Sequence, residues 1–411
     1  MAEAPFELIA EVKSSPGLPL GQLILAMGLI LVGAGQTLLY ALLGPAARQI
    51  GLSDVQTGSI VAISAFILTF ASPIWGRVID RSGSRLVYLL GMFSYAAGSL
   101  CFALVLNAGM NLALSALSVL GLLIFVRVIY ASMTAGIHPA AMASIATVTP
   151  KEKRPAKMGL MSACFGLGST LGPLLGAGLG GYGLLCPLYV VAALAFLNVL
   201  LGVFLLDRPN RNLSPEIVHK SNGLKLLDSR VIGGLLATVL VYVGFSALQQ
   251  SIAFHVQDTL HLSATETVKQ TGVVVFGLAV AMVVTQLFII QYFKPGPLKA
   301  ISIGGALAFT GLASIALGAV TIQQITVGAS LAGAGFAFLF PGLQGSLSNS
   351  VTESEQGSVA GLSFGAAALG YVIGPLIGTS LLAVGYGATY WCAAILVLIG
   401  VLIAMVKIRS Y

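Results

Sequence analysis

Twelve apolar stretches of about twenty residues or more recur along this chain of 411 residues, and no other feature restricts its fold as strongly. They fall at 20–45, 55–75, 86–106, 113–148, 157–180, 184–206, 231–256, 270–293, 300–320, 326–349, 358–384 and 388–406. About twenty apolar residues in a helix cross the ~30 Å hydrocarbon layer, where lipid offers no partner to an unpaired backbone group. The chain therefore reads as an all-α membrane protein of twelve transmembrane helices. Charge agrees: Asp, Glu, Lys and Arg make up 8% of the residues, against roughly 25% in a soluble domain. A soluble enzyme, a disulfide scaffold and a disordered chain are excluded. Twelve spans leave no room for a separate soluble domain, so the function is expected of the membrane part. The run 113–148 exceeds one untilted crossing, and its outer end is expected to be a loop or a tilted extension.

The formal net charge of +7 is dispersed through short connectors and forms no basic stripe, so nucleic acid is not expected as a partner. The charge reads as topology. With a cytoplasmic N-terminus, seventeen Lys and Arg fall on the inside and only Arg48 and Lys269 on the outside, with Arg127 within a span. Lys and Arg resist translocation, which predicts both termini on the cytoplasmic side of a plasma (bacterial inner) membrane. Glu3, Glu7, Glu11 and Lys13 precede the first run, unlike the n-region of a signal peptide, so helix 1 is expected to be retained. Cys101, Cys164, Cys186 and Cys392 lie far apart with no metal-ligand spacing, and neither a metal nor a cofactor is expected.

The longest polar connector, Asp207 to Arg230, falls between runs six and seven. It predicts a six-helix bundle in 1–206, a cytoplasmic linker in 207–230 and a second bundle in 231–411. The halves are related in sequence. SACFGLGSTLGPLLG at 162–176 returns as LSFGAAALGYVIGPLIG at 362–378, and Pro139, Thr149 and Glu152 correspond to Pro341, Thr352 and Glu355. Two pseudo-symmetric bundles rocking about a central site give alternating access, so the repeat points to transport.

Two motifs sharpen this. GRVIDRSGSR, Gly76 to Arg85, lies between spans two and three and resembles the signature G-x-L-A-D-R-x-G-R-K of major facilitator transporters, with Gly76, Asp80, Arg81, Gly83 and Arg85 matching and Ser84 departing. GSTLGPLLG, Gly168 to Gly176, is similar to the G-x-x-x-G-P-x-x-G stretch of that superfamily's drug and small-molecule exporters. Arg127 resembles the same group's helix 4 arginine, with Ala131 where the pattern usually has Gly. The resemblance spans essentially the whole chain. It implies a twelve-helix, proton-coupled exporter of a small organic molecule, drug-like or siderophore-like, working as a monomer in the lipid bilayer. An importer of an organic anion and a non-transporting sensor remain as alternatives.

Site residues follow from the same reading. The loop motif is expected to form a cytoplasmic gate, Asp80 binding the start of helix 11 near Gly357 and Ser358, or Arg154, while Gly76 and Gly83 permit a tight turn and close approach. The equivalent connector Tyr292 to Lys299 holds no acid, so this latch is expected on one side only. Gly168, Gly172, Pro173 and Gly176, with Gly374, Pro375 and Gly378 in the second half, are expected at close helix contacts that serve as pivots. Arg127, which costs ~2.5–3.5 kcal/mol at a helix centre, is expected to face a wet cavity or a partner. His138 follows eleven residues later on the same ideal helical face, about 16 Å away, so both are expected to line the path. Gln36 and Tyr40, and Gln249, Gln250 and His255 beside Ser251, are further pathway candidates. No Asp or Glu lies inside any run, since Asp54 and Asp258 sit at outer ends, with Asp54 a candidate N-cap of helix 2. A buried cation without a protein counter-ion predicts a cavity favouring neutral or anionic substrates.

Overall fold

The computed structural model describes residues 20–149, 154–206, 228–352 and 355–409. Twelve long apolar helices run through it. We number them α1 (Leu20–Ile50), α2 (Asp54–Ser82), α3 (Ser84–Met110), α4 (Ala116–Val148), α5 (Arg154–Leu179), α6 (Cys186–Leu205), α7 (Ile232–Thr259), α8 (Ala264–Phe293), α9 (Pro297–Ala316), α10 (Ile322–Asn349), α11 (Gln356–Leu381) and α12 (Tyr386–Arg409). The face where α1 begins and α12 ends is called the near face, and the opposite one the far face. Residues 1–19 and 207–227 and Glu152, on which several sequence expectations fall, lie outside the described residues.

Two helices depart from regularity, each for a chemical reason. α4 breaks between Thr134 and Ile137. Pro139 has no N–H to offer the Ala135 carbonyl, and its ring crowds that oxygen, so the break falls four residues upstream of the proline. The outer end of the 113–148 run, residues 113–115, is loop as expected, the helix starting after the Ser115 N-cap, and a mid-helix break interrupts the remaining length. α8 passes through a π-helical turn at Thr285–Ile289 before its last turn, Ile290–Phe293.

A second register of the internal repeat appears in the helix starts. Ser53 caps α2 by accepting the Gln56 N–H, and Ser263, 210 positions later, caps α8 by accepting the Glu266 N–H. Thr57 and Thr267 each donate to the carbonyl of their own capping serine. Ser53 rather than Asp54 is therefore the cap. Asp54 occupies the first helical position, with its carboxylate free for Arg48.

The same symmetry shapes the contact between the halves. α2 packs on α11, α5 packs on α8, and α1 meets α7. A Cβ at Gly58 would collide with Thr379, and one at Gly176 would touch Val268 at 3.6 Å. These are related contacts in the two halves, because Val268 corresponds to Gly58 and Thr379 follows Gly378, the counterpart of Gly176. Where α1 and α7 cross, residues 210 apart face each other: a Cβ on Gly44 would press on the Phe254 ring, and Arg48 reaches Asp258.

Burial along the four interface helices is one-sided. On α2 the buried residues run from Thr57 to Ser64 and then skip to Ile79. On α8 they run from Ala264 to Leu278, with Thr285 alone beyond. Gly172, Pro173 and Gly176 of α5 and Gly374, Pro375, Gly378 and Thr379 of α11 are buried in the far half, whereas Leu167 and Phe364 nearer the other end are exposed. A Cβ at Gly166, Gly361 or Gly365 would meet nothing. The halves are joined at the far face and parted toward the near face, leaving a vestibule between them.

Candidate transport pathway

The far seal is built from charge over an aromatic plug. Arg48 Nε and Nη2 donate to the two Asp54 oxygens at 2.8 Å each, and Nη2 also donates to Asp258 Oδ2 at 3.0 Å. Its guanidinium lies 4.6 Å from the Phe254 ring centre, and the Tyr386 hydroxyl donates to Asp258. The Arg48 and Asp258 side chains are 22% and 42% exposed, so water screens the pair and its coupling is on the order of 1 kcal/mol or less. The seal is of a strength that can open and close.

His255, expected on the pathway, sits instead inside the second half. Its Nε2 faces the Ala319 carbonyl at 3.1 Å and so donates, leaving Nδ1, 3.2 Å from the Tyr390 hydroxyl, to accept. Its ring stacks on Tyr386 at 4.8 Å. Both nitrogens are satisfied in the neutral form, and the role visible here is to brace the far end of α7. Gln249 and Gln250 are buried too, with Gln250 Oε1 and Ser251 Oγ unpaired among the described residues. Gln250 stands 210 residues after Tyr40, the spacing that pairs Gly44 with Phe254 and Arg48 with Asp258, and Tyr40 is itself buried. Gln36, one turn below Tyr40, is exposed.

Arg127 does not share its surroundings with His138, because the break at Ala135–Gly136 ends the common helical face. Arg127 Nε donates to Ser64 Oγ at 2.7 Å, and its guanidinium lies 4.9 Å from the Tyr130 ring centre and 5.5 Å from that of Phe102. The small space beside it is lined by Gly35, Tyr95, Ser99 and Val191, all from the first half. The arginine is held between helices of one bundle by a hydroxyl and two ring faces, so of the two surroundings expected for it, a wet cavity or a partner, it is partners that engage it. His138 is exposed, edge-on to Phe165 of α5 at 6.1 Å.

At the near face the loop motif is open. Asp80 and Arg81 are exposed, and Asp80 makes neither a hydrogen bond nor an ion pair with any described residue. Arg154 donates to the Thr149 carbonyl at 3.0 Å and Arg85 to that of Val203 at 2.6 Å. Gly83 turns the chain from α2 into α3 at φ +85°, a conformation that favours glycine, while a Cβ at Gly76 would meet open space. The second half has a near-face clasp that its acid-free connector did not announce. Arg230 Nη2 donates to Asp228 Oδ2 at 2.8 Å and to Glu355 Oε1 at 2.9 Å, tying the start of α7 to the start of α11. Arg230 and the Thr352 N–H hold the Glu355 carboxyl down at about 2.

The glycine stretches lie at contacts. A Cβ at Gly168 would collide with the Ile30 backbone, one at Gly172 with the Ala34 carbonyl, one at Gly374 with Ser246, and one at Gly378 would lie 3.0 Å from Ser251 Oγ. Both glycine-proline helices thereby sit directly on the first helix of their own half.

Sequence comparison decides the family, for residues 25–325 and 234–410 match the profile of the Major Facilitator Superfamily. The chain belongs to the major facilitator superfamily. It is 25% identical over 393 residues to quinolone resistance protein NorA of Staphylococcus aureus, covering 93% of this chain and 95% of that one. It is 26% identical over 372 residues to multidrug resistance protein 2 of Bacillus subtilis, covering 86% and 87%. In fold it is similar to a bacterial homologue of the human lysosomal transporter Spinster in an inward-facing, unoccupied conformation, with TM-score 0.73, 16% identity and coverage of 95% and 96%. A mutant of the peptide transporter POT is similar at TM-score 0.72 and 15% identity, covering 100% and 99%. This superfamily member is a multi-pass membrane transporter of a small-molecule substrate and not an enzyme.

Sequence reasoning missed two features of the pathway. One is the Arg48–Asp258 seal, whose signal was the 210-residue spacing of the two serine caps. The other is an aromatic group in the second half: Tyr242 and Phe245 on α7, Phe336 and Phe340 on α10 and Tyr371 on α11, with Tyr242 and Phe340 stacked at 4.4 Å and 15°. Their i, i+3 and i, i+4 spacings were legible, but apolar patterning does not separate a ring that packs from one that faces a vestibule.

Proposed function

We propose that this chain is a proton-coupled exporter of small organic molecules, working by alternating access in a plasma membrane with both termini cytoplasmic. Residues 1–206 and 231–411 act as two bundles joined by the 207–230 linker, and one chain is the functional unit. The observation that carries the reading is the one-sided joining of the halves, with the far face closed by Arg48 and Asp258 and the near face parted. The excess of Lys and Arg in near-face connectors supports a cytoplasmic near face. A vestibule open to the cytoplasm is the state that loads an export substrate, and the names of the quinolone and multidrug resistance relatives support that direction. In the opposite state Asp80 is free to latch the start of α11 as the near face closes. Among the described residues every Asp and Glu lies at a helix end, which leaves His138 and the Asp54–Asp258 group as candidates for proton exchange.

Everted membrane vesicles from cells producing the chain test this. Respiration acidifies their lumen, and a fluorescent aromatic substrate should accumulate inside and leave when a protonophore is added. Accumulation equal to that of vesicles lacking the chain would contradict export.

A further inference from the structure

Among the described residues Arg127 is the one charged side chain in the middle of a span, and the transport reading gives it no task. A guanidinium keeps its proton at every physiological pH, so unlike a buried lysine it cannot shed its charge. Its partners carry no formal charge: Ser64 Oγ at 2.7 Å, and the Tyr130 and Phe102 rings. No acidic residue lines the space beside it. The fold does not demand a cation at this place, because the repeat spacing that relates Pro139 to Pro341 puts the buried Ala329 at the corresponding position of the second half.

That space is a cavity of about 20 Å³ between α1, α3, α4 and α6. A water needs about 10–15 Å³ by the same measure, so one particle of water size or slightly larger fits, and sulfate does not. The walls are rich in donors. Ser64 does not line the cavity, so with Nε spent on Ser64 the guanidinium has its terminal N–H groups to offer. The Tyr130 hydroxyl stands beside both Arg127 and the buried Ser99. Tyr95 spends its own proton on the Leu31 carbonyl at 2.8 Å. A Cβ at Gly35 would collide with the Tyr95 hydroxyl and one at Gly98 with the Tyr130 ring, so two glycines seat both tyrosines against the cavity.

From this geometry we propose that the cavity binds one halide ion, chloride in the cell, as the counter-ion of Arg127. Guanidinium N–H and hydroxyl O–H groups meet at a space that takes one such ion, and the ion supplies the negative charge that the spans of the first half lack. A water would satisfy the donors and leave the charge unbalanced. The residues around the cavity all belong to the first half, so the proposal stands apart from the substrate and direction of transport.

The test is equilibrium dialysis of radioactive chloride against the purified full chain in lipid nanodiscs, in sodium gluconate buffer. The unaltered chain should bind a single chloride saturably, displaced by bromide at similar concentration and not by sulfate. Ser99→Ala removes one donor to a charged acceptor and should weaken binding about tenfold. Arg127→Gln should abolish it. No saturable binding by the unaltered chain would overturn the proposal whether or not the variants fold, and would leave water in the cavity. Chloride retained by Arg127→Gln, binding unchanged in Ser99→Ala, or displacement by sulfate as readily as by bromide would also overturn it, placing the ion at an exposed cation. Because dialysis needs no gradient, chloride binding without vesicle accumulation of substrate would refute export and leave the halide site standing.

Discussion

Arg48 and Asp258 are 210 residues apart in sequence and joined by a hydrogen bond of 3.0 Å, each standing at the internal-repeat position of the other. A two-fold axis between similar halves brings equivalent residues face to face where it passes through them. Here that pairing carries opposite charges, so the symmetry of the fold itself supplies the lock on the far face. Asp54 holds the other side of the same guanidinium within the first half, so the lock can release without leaving Arg48 unpaired.

Asp258→Asn should therefore shift the protein toward a far-open state while Arg48 stays bound to Asp54. With both partners hydrated, the expected change is about 0.5–1 kcal/mol, a two- to fivefold population shift. Pulsed electron paramagnetic resonance between spin labels at the far ends of α1 and α7 would show a growing long-distance population. An unchanged distribution would mean that packing around Phe254, and not charge, closes this face.

The glycines of α5 should separate cleanly by position. Gly172→Ala places a methyl against the Ala34 carbonyl of α1 and should cost about 1–3 kcal/mol. Gly166→Ala meets open space and should stay within about 0.5 kcal/mol. Thermal unfolding in one lipid mixture measures both. Equal effects would show that α5 does not seat on α1 as described.

Much of this was legible in the sequence. Twelve spans followed from run length, because an apolar run of about twenty residues crosses lipid with its backbone satisfied as a helix, and the close-packed glycines followed from their spacing. The shared face of Arg127 and His138 did not survive, since a proline four residues beyond Ala135 breaks the helix between them. Nor did the sequence reveal that His255 turns inward, because its partners, Ala319 and Tyr390, lie 64 and 135 residues away. A polar residue in an apolar run advertises a need for a partner without saying on which side the partner lies.

Arg127 gives a third expectation. Arg127→Ala removes the Ser64 bond and two ring contacts, and should destabilise the first half by about 1–3 kcal/mol without altering the ligand charge preference. Matched binding of naphthol and naphthoate to the variant checks this. A selective loss of naphthoate would return the arginine to the pathway.

The near-face charges should differ in their response to acid. Glu355 is depressed by Arg230, so its contribution is present above the ordinary carboxylate range and is lost only as pH falls toward about 2. The effect of Glu355→Gln on unfolding should then be constant from about pH 5 to 8. A change across that window would mean that the clasp titrates. Among the described residues Asp80 has no partner, and Asp80→Asn should leave stability within about 0.5 kcal/mol while slowing flux severalfold, since it acts when the near face closes.

The most direct test of the account is flux in proteoliposomes holding the purified chain under an imposed pH gradient. With the lumen acidic, substrate should enter against its own gradient while protons leave, and should stop when nigericin collapses the pH difference. Accumulation that ignores the pH difference, or that follows protons in the same direction, would contradict proton-coupled export.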